Sequence, residues 1–126
     1  MTDRLRFVGF SVLVLLIASV GPAFANKSEV ALNVPDTVRK GEEITIKVTV
    51  THSSNNFMHY TDWVYVAVNG KEIKRWAYSW RSRPESNVFE LEVKHLVDGP
   101  LEITAQSDCN IHGSKGIVKA SPKVSE

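Results

Sequence analysis

Cys109 and His112 are the residues in this chain whose types and spacing most directly suggest chemistry. They stand three apart in the run Cys109-Asn110-Ile111-His112-Gly113. A thiolate beside an imidazole is a borderline-soft donor pair that suits iron, zinc or copper. Gly113 lets the backbone reverse straight after the histidine. A buried cysteine beside a surface histidine is the plain alternative for this pair. His52 and His59 bracket the polar loop 53–58. Two histidines at the ends of one loop can converge on one ion, or can both be solvated. The remaining histidine, His95, ends an alternating apolar run. Cys109 is the sole cysteine of the sequence. It is therefore buried and inert, paired with another molecule, or bound to a metal.

The segments that must position these residues read as strands. Ile44, Ile46, Val48 and Val50 alternate with Thr45, Lys47 and Thr49, the period of a half-buried strand. Phe89, Leu91 and Val93 alternate with Glu90, Glu92 and Lys94, and Leu101, Ile103 and Ala105 with Glu102, Thr104 and Gln106. Asp62 to Val68 is apolar on both faces, as a central strand is. Asn69-Gly70 follows it, a strong hairpin signal, and Ile73 to Tyr78 is the expected return. Shorter strands are expected at Val30 to Val34 and Gly116 to Ala120. Turn residues at Pro35-Asp36, Lys40-Gly41, Arg83-Pro84-Glu85-Ser86 and Asp98-Gly99-Pro100 separate the runs. No run reads as an amphipathic helix. About seven short strands at this spacing predict an all-β, immunoglobulin-like β-sandwich.

The first 25 residues read as a leader outside that fold. Arg4 and Arg6 give a positive start, Phe7 to Val20 is an apolar run, and Ala23-Phe24-Ala25 supplies small residues at a cleavage site. That run of 14 residues is shorter than the roughly 20 needed to span a bilayer. The expectation is a signal peptide over 1–25, a single domain over 26–126, and a periplasmic or secreted location with no membrane attachment after cleavage. Removing Asp3, Arg4 and Arg6 takes the formal net charge from +1 to zero. A neutral domain argues against a nucleic-acid partner. Composition leaves a homo-oligomer open. An exported protein meets an oxidising space, where cysteines usually pair, so a lone cysteine in a histidine-rich turn draws attention to metal binding.

Two separate motifs then take on a familiar order. His52 leads through a short loop to His59-Tyr60-Thr61-Asp62-Trp63-Val64-Tyr65-Val66, then Val68-Asn69-Gly70-Lys71, then Cys109-Asn110-Ile111-His112-Gly113. This resembles the iron domain of superoxide reductases, the neelaredoxin and desulfoferrodoxin proteins, from about Asn33 to Lys119. The resemblance implies an immunoglobulin-like sandwich carrying one non-haem iron, with four imidazoles in a plane and an axial thiolate. Superoxide binds at the open sixth position, takes one electron and leaves as hydrogen peroxide. An external one-electron donor is implied too, since no rubredoxin-like Cys-x-x-Cys is present. By this resemblance His52, His59 and His112 match in-plane ligands and Cys109 the axial one. Backbone N–H groups near Asn110 to His112 are the expected donors to the sulfur.

The chain departs from the family pattern in three places. Asn33, before Val34-Pro35, stands where the family carries its fourth in-plane histidine, which leaves Asn33 or His95 as the candidate fifth donor. Ala31-Leu32 replace the family's Glu-Lys pair, so Lys115 is the candidate for the charge that attracts superoxide. The loop between His52 and His59 is one residue longer than the family's, and Ser114-Lys115 replaces the family's Leu-Trp. Two other functions remain in play: a non-catalytic metal-binding or electron-transfer protein on the same fold, and a metal-free module like the sulfur-oxidation carrier sandwich. Trp63, Trp76 and Trp80 are expected to pack, and Arg75, Arg81 and Arg83 to form a solvated edge.

Overall fold

A computed structural model describes residues 27–126. The leader expected at 1–25 lies outside the described residues. Nine strands form: β1 (Glu29–Asn33), β2 (Thr37–Arg39), β3 (Glu43–Thr51), β4 (Thr61–Val68), β5 (Lys71–Ala77), β6 (Val88–Leu96), β7 (Ile103–Cys109), β8 (Val118–Ala120) and β9 (Lys123–Ser125). One sheet runs β1-β3-β6 and the other β5-β4-β7-β8, with β2 and β9 as a small parallel pair. This is the two-sheet sandwich the alternation predicts. Its two additional strands, β2 and β9, are three residues each, too short to show a period. Among the described residues no helix is long and apolar enough to cross a membrane.

Burial follows the sequence period. On β3, Ile44, Ile46, Val48 and Val50 face inward and are essentially fully buried, while Thr45, Lys47 and Thr49 are half-exposed. They meet Val64, Val66 and Val68 of β4 and Ile103 and Ala105 of β7 in one core. Each such side chain stabilises the fold by about 1.5–3 kcal/mol on burial. β4 turns Val64, Val66 and Val68 into the core and carries Trp63 and Tyr65, half-buried beneath Arg75, on its other face, which is why its sequence is apolar on both faces. β5 is an edge, and its Lys71, Lys74 and Arg75 discourage pairing with another sheet. The Asn69-Gly70 turn has φ of +50° and +80°, as a two-residue hairpin requires. Sheet pairing in β7 starts at Ile103, two residues later than the alternation suggests. The backbone of Glu102 is engaged by Asn69 instead, through Asn69 N–H to Glu102 O and Glu102 N–H to Asn69 Oδ1, each 2.8 Å.

Trp76 and Trp63 pack as expected, whereas Trp80 is exposed at 52%. Trp76 lies against the core. Trp63 stacks on Tyr65, and the Arg75 guanidinium covers both rings. Arg75 Nε also donates to Glu72 Oε1 (2.6 Å). Arg83 donates to Trp80 O, and Arg81 covers the Trp80 ring.

Topology brings the chemistry-bearing residues to one end of the sandwich. β3 ends at Thr51, directly before His52, and β4 starts at Thr61, whose pairing partner is Cys109 at the end of β7. β1 is antiparallel to β3 with Glu29 opposite Thr51, so the start of β1, not its end, lies at this pole.

Candidate metal centre

His52 is the best-defined member of the cluster, at 1% exposure. Its surroundings fix its protonation. Asn55 Oδ1 accepts from Thr61 N–H (2.7 Å), and Asn55 Nδ2 donates to Ser86 O (2.8 Å). A backbone N–H can only donate and a carbonyl only accept, so the amide orientation of Asn55 is settled. His52 Nδ1 lies 3.1 Å from that same Oδ1 and 3.2 Å from Thr61 Oγ1; the hydroxyl can accept or donate, but the amide oxygen can only accept, which favours the tautomer with the proton on Nδ1. Nε2 then presents a bare lone pair, and it points at His59 Nε2, 3.0 Å away.

His59 sits at the other end of the loop, half-buried. Asn56 shapes the turn before it: its Oδ1 accepts from the N–H groups of Met58 and His59, and its own N–H donates to His59 O. His59 Nε2 lies 3.2 Å from His112 Nδ1, and His112 Nδ1 lies 3.6 Å from Cys109 Sγ. The ligand atoms of His52, His59 and Cys109 all fall within 4.8 Å of one another. Two nitrogens each about 2.1 Å from a shared ion would stand roughly 3.0 Å apart at a right angle and roughly 3.4 Å apart in a tetrahedron. The two nitrogen–nitrogen spacings, 3.0 and 3.2 Å, fall in that range, and with a sulfur about 2.3 Å from the ion the 3.6 Å spacing of His112 Nδ1 and Cys109 Sγ matches the tetrahedral value; a small inward movement of the donors then suits a single borderline-soft transition ion such as iron.

Cys109 is 2% exposed. Its turn is closed on itself by Cys109 N–H to Gly113 O (2.8 Å) and Gly113 N–H to Cys109 O (3.0 Å), with Gly113 at φ +82°. Inside that turn His112 N–H points at Sγ, 3.4 Å away. Asn110 ties the turn to the first loop. Its Oδ1 accepts from Tyr60 N–H, its Nδ2 donates to Met58 O, and its N–H donates to Tyr60 O. Next to Cys109, burial, with the Asp62 charge adding to it, holds the Asp108 carboxyl above its ordinary range.

The expected site residues thus divide. His52, His59, Cys109 and His112 come together. Asn33 does not: it is exposed, pairs with Lys47, and lies at the opposite end of β1 from the cluster. The reason is register. With about 3.3 Å per residue, the five-residue strand carries Asn33 more than a dozen ångströms from the pole where β1 starts. His95 is excluded likewise, because it pairs with Ile44 at the far end of β3. Lys115 is close to the turn, but its Nζ is held 2.9 Å from Glu29 Oε2. The segment of β1 that does reach the cluster is Ser28-Glu29: Ser28 N–H donates to Gly113 O and Lys115 N–H to Ser28 O. Spacing alone gave no sign of Ser28 or Asn55, neither being a metal-ligand type; Asn55 had only its place inside the histidine loop to mark it.

Comparison with known proteins agrees with this architecture. A superoxide reductase (neelaredoxin) from Ignicoccus hospitalis is 19% identical, covering 83% of this chain and 89% of its own, with a TM-score of 0.66. A putative superoxide reductase from Thermotoga maritima is 20% identical, covering 82% and 91%, with a TM-score of 0.60. The sulfur carrier protein SoxY from Chlorobium limicola is 10% identical, covering 78% and 83%, with a TM-score of 0.54. At such identities the likeness establishes a shared fold. No curated protein sequence matches the chain. Family comparison is more specific: the desulfoferrodoxin pattern matches residues 23–115, spanning both histidine-bearing loops and the cysteine turn. The chain belongs to the desulfoferrodoxin family.

Proposed function

We propose that this chain is an exported, periplasmic or secreted, superoxide reductase-like protein whose iron centre is held by His52, His59, His112 and Cys109. The reaction adds one electron and two protons to superoxide and releases hydrogen peroxide; the electron comes from an external one-electron donor. The observation that carries the reading is the meeting of three imidazole nitrogens and one thiolate at spacings of 3.0, 3.2 and 3.6 Å on the family fold. Bound iron would supply the one-electron redox couple and an open position for a small anion.

The chain's own groups account for the rest. Asn55 fixes the tautomer of His52. His112 N–H, directed at the Cys109 sulfur, would tune electron donation from it. His112 is exposed, which leaves a solvent face through which superoxide and protons arrive. Lys115 is the candidate to attract the anion, and its pairing with Glu29 offsets part of that attraction. Removing Lys115 is therefore expected to change the rate modestly.

Iron-loaded protein mixed with superoxide in stopped flow tests the activity. Rapid stoichiometric oxidation is expected, with a ferric-thiolate absorption that disappears in Cys109→Ser. Iron that stays ferrous through the mixing removes the enzymatic reading. A second reading, a non-catalytic metal or electron-transfer protein, is favoured by one observation: among the described residues no fourth imidazole reaches the cluster. It predicts intact metal content with slow oxidation by superoxide.

A further inference from the structure

Besides Thr61, whose hydroxyl lies 3.2 Å from His52 Nδ1, the pole of the sandwich holds two more buried polar side chains, and none of the three is a ligand in the reading above. Ser28 and Ser107 are each 0% exposed, and their hydroxyls lie 2.6 Å apart. Ser107 is two residues before Cys109 on the same inward face of β7. Ser28 is one step before Glu29, whose partner is Thr51, so Ser28 comes alongside His52. Its backbone joins the cysteine turn through Gly113 O and Lys115 N, and it bridges to Ser114. The hydroxyl pair therefore stands on the core side of the cluster, flanked by His52 and Cys109.

We infer that the Ser28–Ser107 pair closes the core side of the centre, so that a bound metal takes only four protein donors and keeps its open positions on the solvent side. This rests on the metal-centre reading above and specifies its coordination. Each serine oxygen is engaged by the other, and a neutral hydroxyl competes poorly with imidazole and thiolate for a borderline-soft ion. The outer side has the opposite character. His112 is exposed there, and Phe57, Met58 and Ile111, at 62%, 64% and 58% exposure, rim it with apolar surface. Small anions reach the metal from that side, and nothing in the core fills a fifth protein position. Ser28 thus sets the coordination number: its Cβ starts from the one strand position that could send another side chain to the cluster from β1.

Cobalt(II) reports this directly. Its d–d bands are intense where the ligand field lacks an inversion centre, as with four donors, and weak with six. Wild-type protein titrated with cobalt is expected to show intense visible bands and a near-ultraviolet thiolate band that Cys109→Ser abolishes. Ser28→Ala is expected to leave the visible bands unchanged at equal occupancy, because the hydroxyl is not a donor. Ser28→His is expected to weaken them several-fold as a fifth donor arrives. A changed spectrum in Ser28→Ala, which would make the hydroxyl a donor, or an unchanged one in folded, cobalt-loaded Ser28→His, would overturn the inference while leaving the metal centre intact. Failure to take up cobalt, or uptake without a thiolate band, would overturn the metal centre and the inference with it. The wild-type and Ser28→Ala spectra decide the matter even where Ser28→His does not fold.

Discussion

Replacing Asn55 by alanine should weaken metal binding although Asn55 touches no metal. Its amide oxygen serves two donors, His52 Nδ1–H at 3.1 Å and Thr61 N–H at 2.7 Å, and its amide nitrogen holds Ser86 O at 2.8 Å. Thr61 is fully buried, so its N–H loses its partner where water has little access. An orphaned buried donor costs about 1–3 kcal/mol, and the more exposed bond to Ser86 adds little. Metal-free Asn55→Ala should therefore unfold with about 2 kcal/mol less stability, a drop in Tm of about 10 °C for a domain of this size.

The second effect falls on the metal. Without the amide oxygen, only the Thr61 hydroxyl remains beside Nδ1, at 3.2 Å; it can donate as well as accept, so the tautomer that points a proton at the centre becomes accessible. Loss of a hydrogen bond behind a metal-binding histidine typically weakens affinity about 10- to 100-fold, or about 1.4–2.7 kcal/mol. Competition against a chromogenic chelator measures this. Asn55→Asp is the control: it keeps an acceptor for both donors and loses only the bond to Ser86 O. It should bind metal far more tightly than Asn55→Ala. If Asn55→Ala stayed within about twofold of wild type, below the range such bonds produce, or if the aspartate variant fell equally far, the tautomer argument would be wrong.

Three further outcomes follow from the fold. Ile46→Ala, which empties a fully buried position between the sheets, should cost about 2–5 kcal/mol in urea unfolding; a loss under about 1 kcal/mol would mean the site collapses or the packing is misjudged. Asn69→Ala removes the bonds to Glu102 N and Pro100 O and places a poorer residue at positive φ, for an expected loss of about 1–2 kcal/mol. Burial raises the Tyr78 pKa above 10.0, so the unfolded chain releases that proton first and stability falls as pH rises through about 10 and beyond. Tyr78→Phe should flatten the decline in unfolding midpoint between about pH 9 and pH 11; an unchanged slope would assign the decline to other groups.

Much of the sandwich was legible because its signals are local. Ile44 to Val50 alternates cleanly since one face of β3 meets the core and the other meets water, and Asp62 to Val68 loses its alternation since the outer face of β4 carries Trp63 and Tyr65 packed beneath Arg75. Asn69-Gly70 announced its hairpin through backbone sterics alone. β2 and β9 escaped notice because three residues carry no measurable period and their pairing joins positions more than 80 residues apart. The four candidate donor residues were legible for a related reason: each sits at a turn whose chemistry is written in adjacent residues, His-Tyr in one case and Cys-Asn-x-His-Gly in the other.

The error over Asn33 shows where such reading stops. A sequence match to Val-Pro places Asn33 beside the metal only if β1 begins there. Which end of a strand reaches a given pole depends on its pairing direction and register, and both come from partners remote in sequence. Here Glu29 opposite Thr51 brings the start of β1 to the cluster, and Ser28, a residue with no claim as a ligand by type, occupies the place. Its hydroxyl is satisfied by Ser107 across the two sheets, a bond no local pattern forecasts. The same register hands Glu29 to Lys115 and so decides how much free positive charge an approaching anion meets. In this fold the turns carry the candidate donors, and the register of β1 decides which of its residues stands beside them.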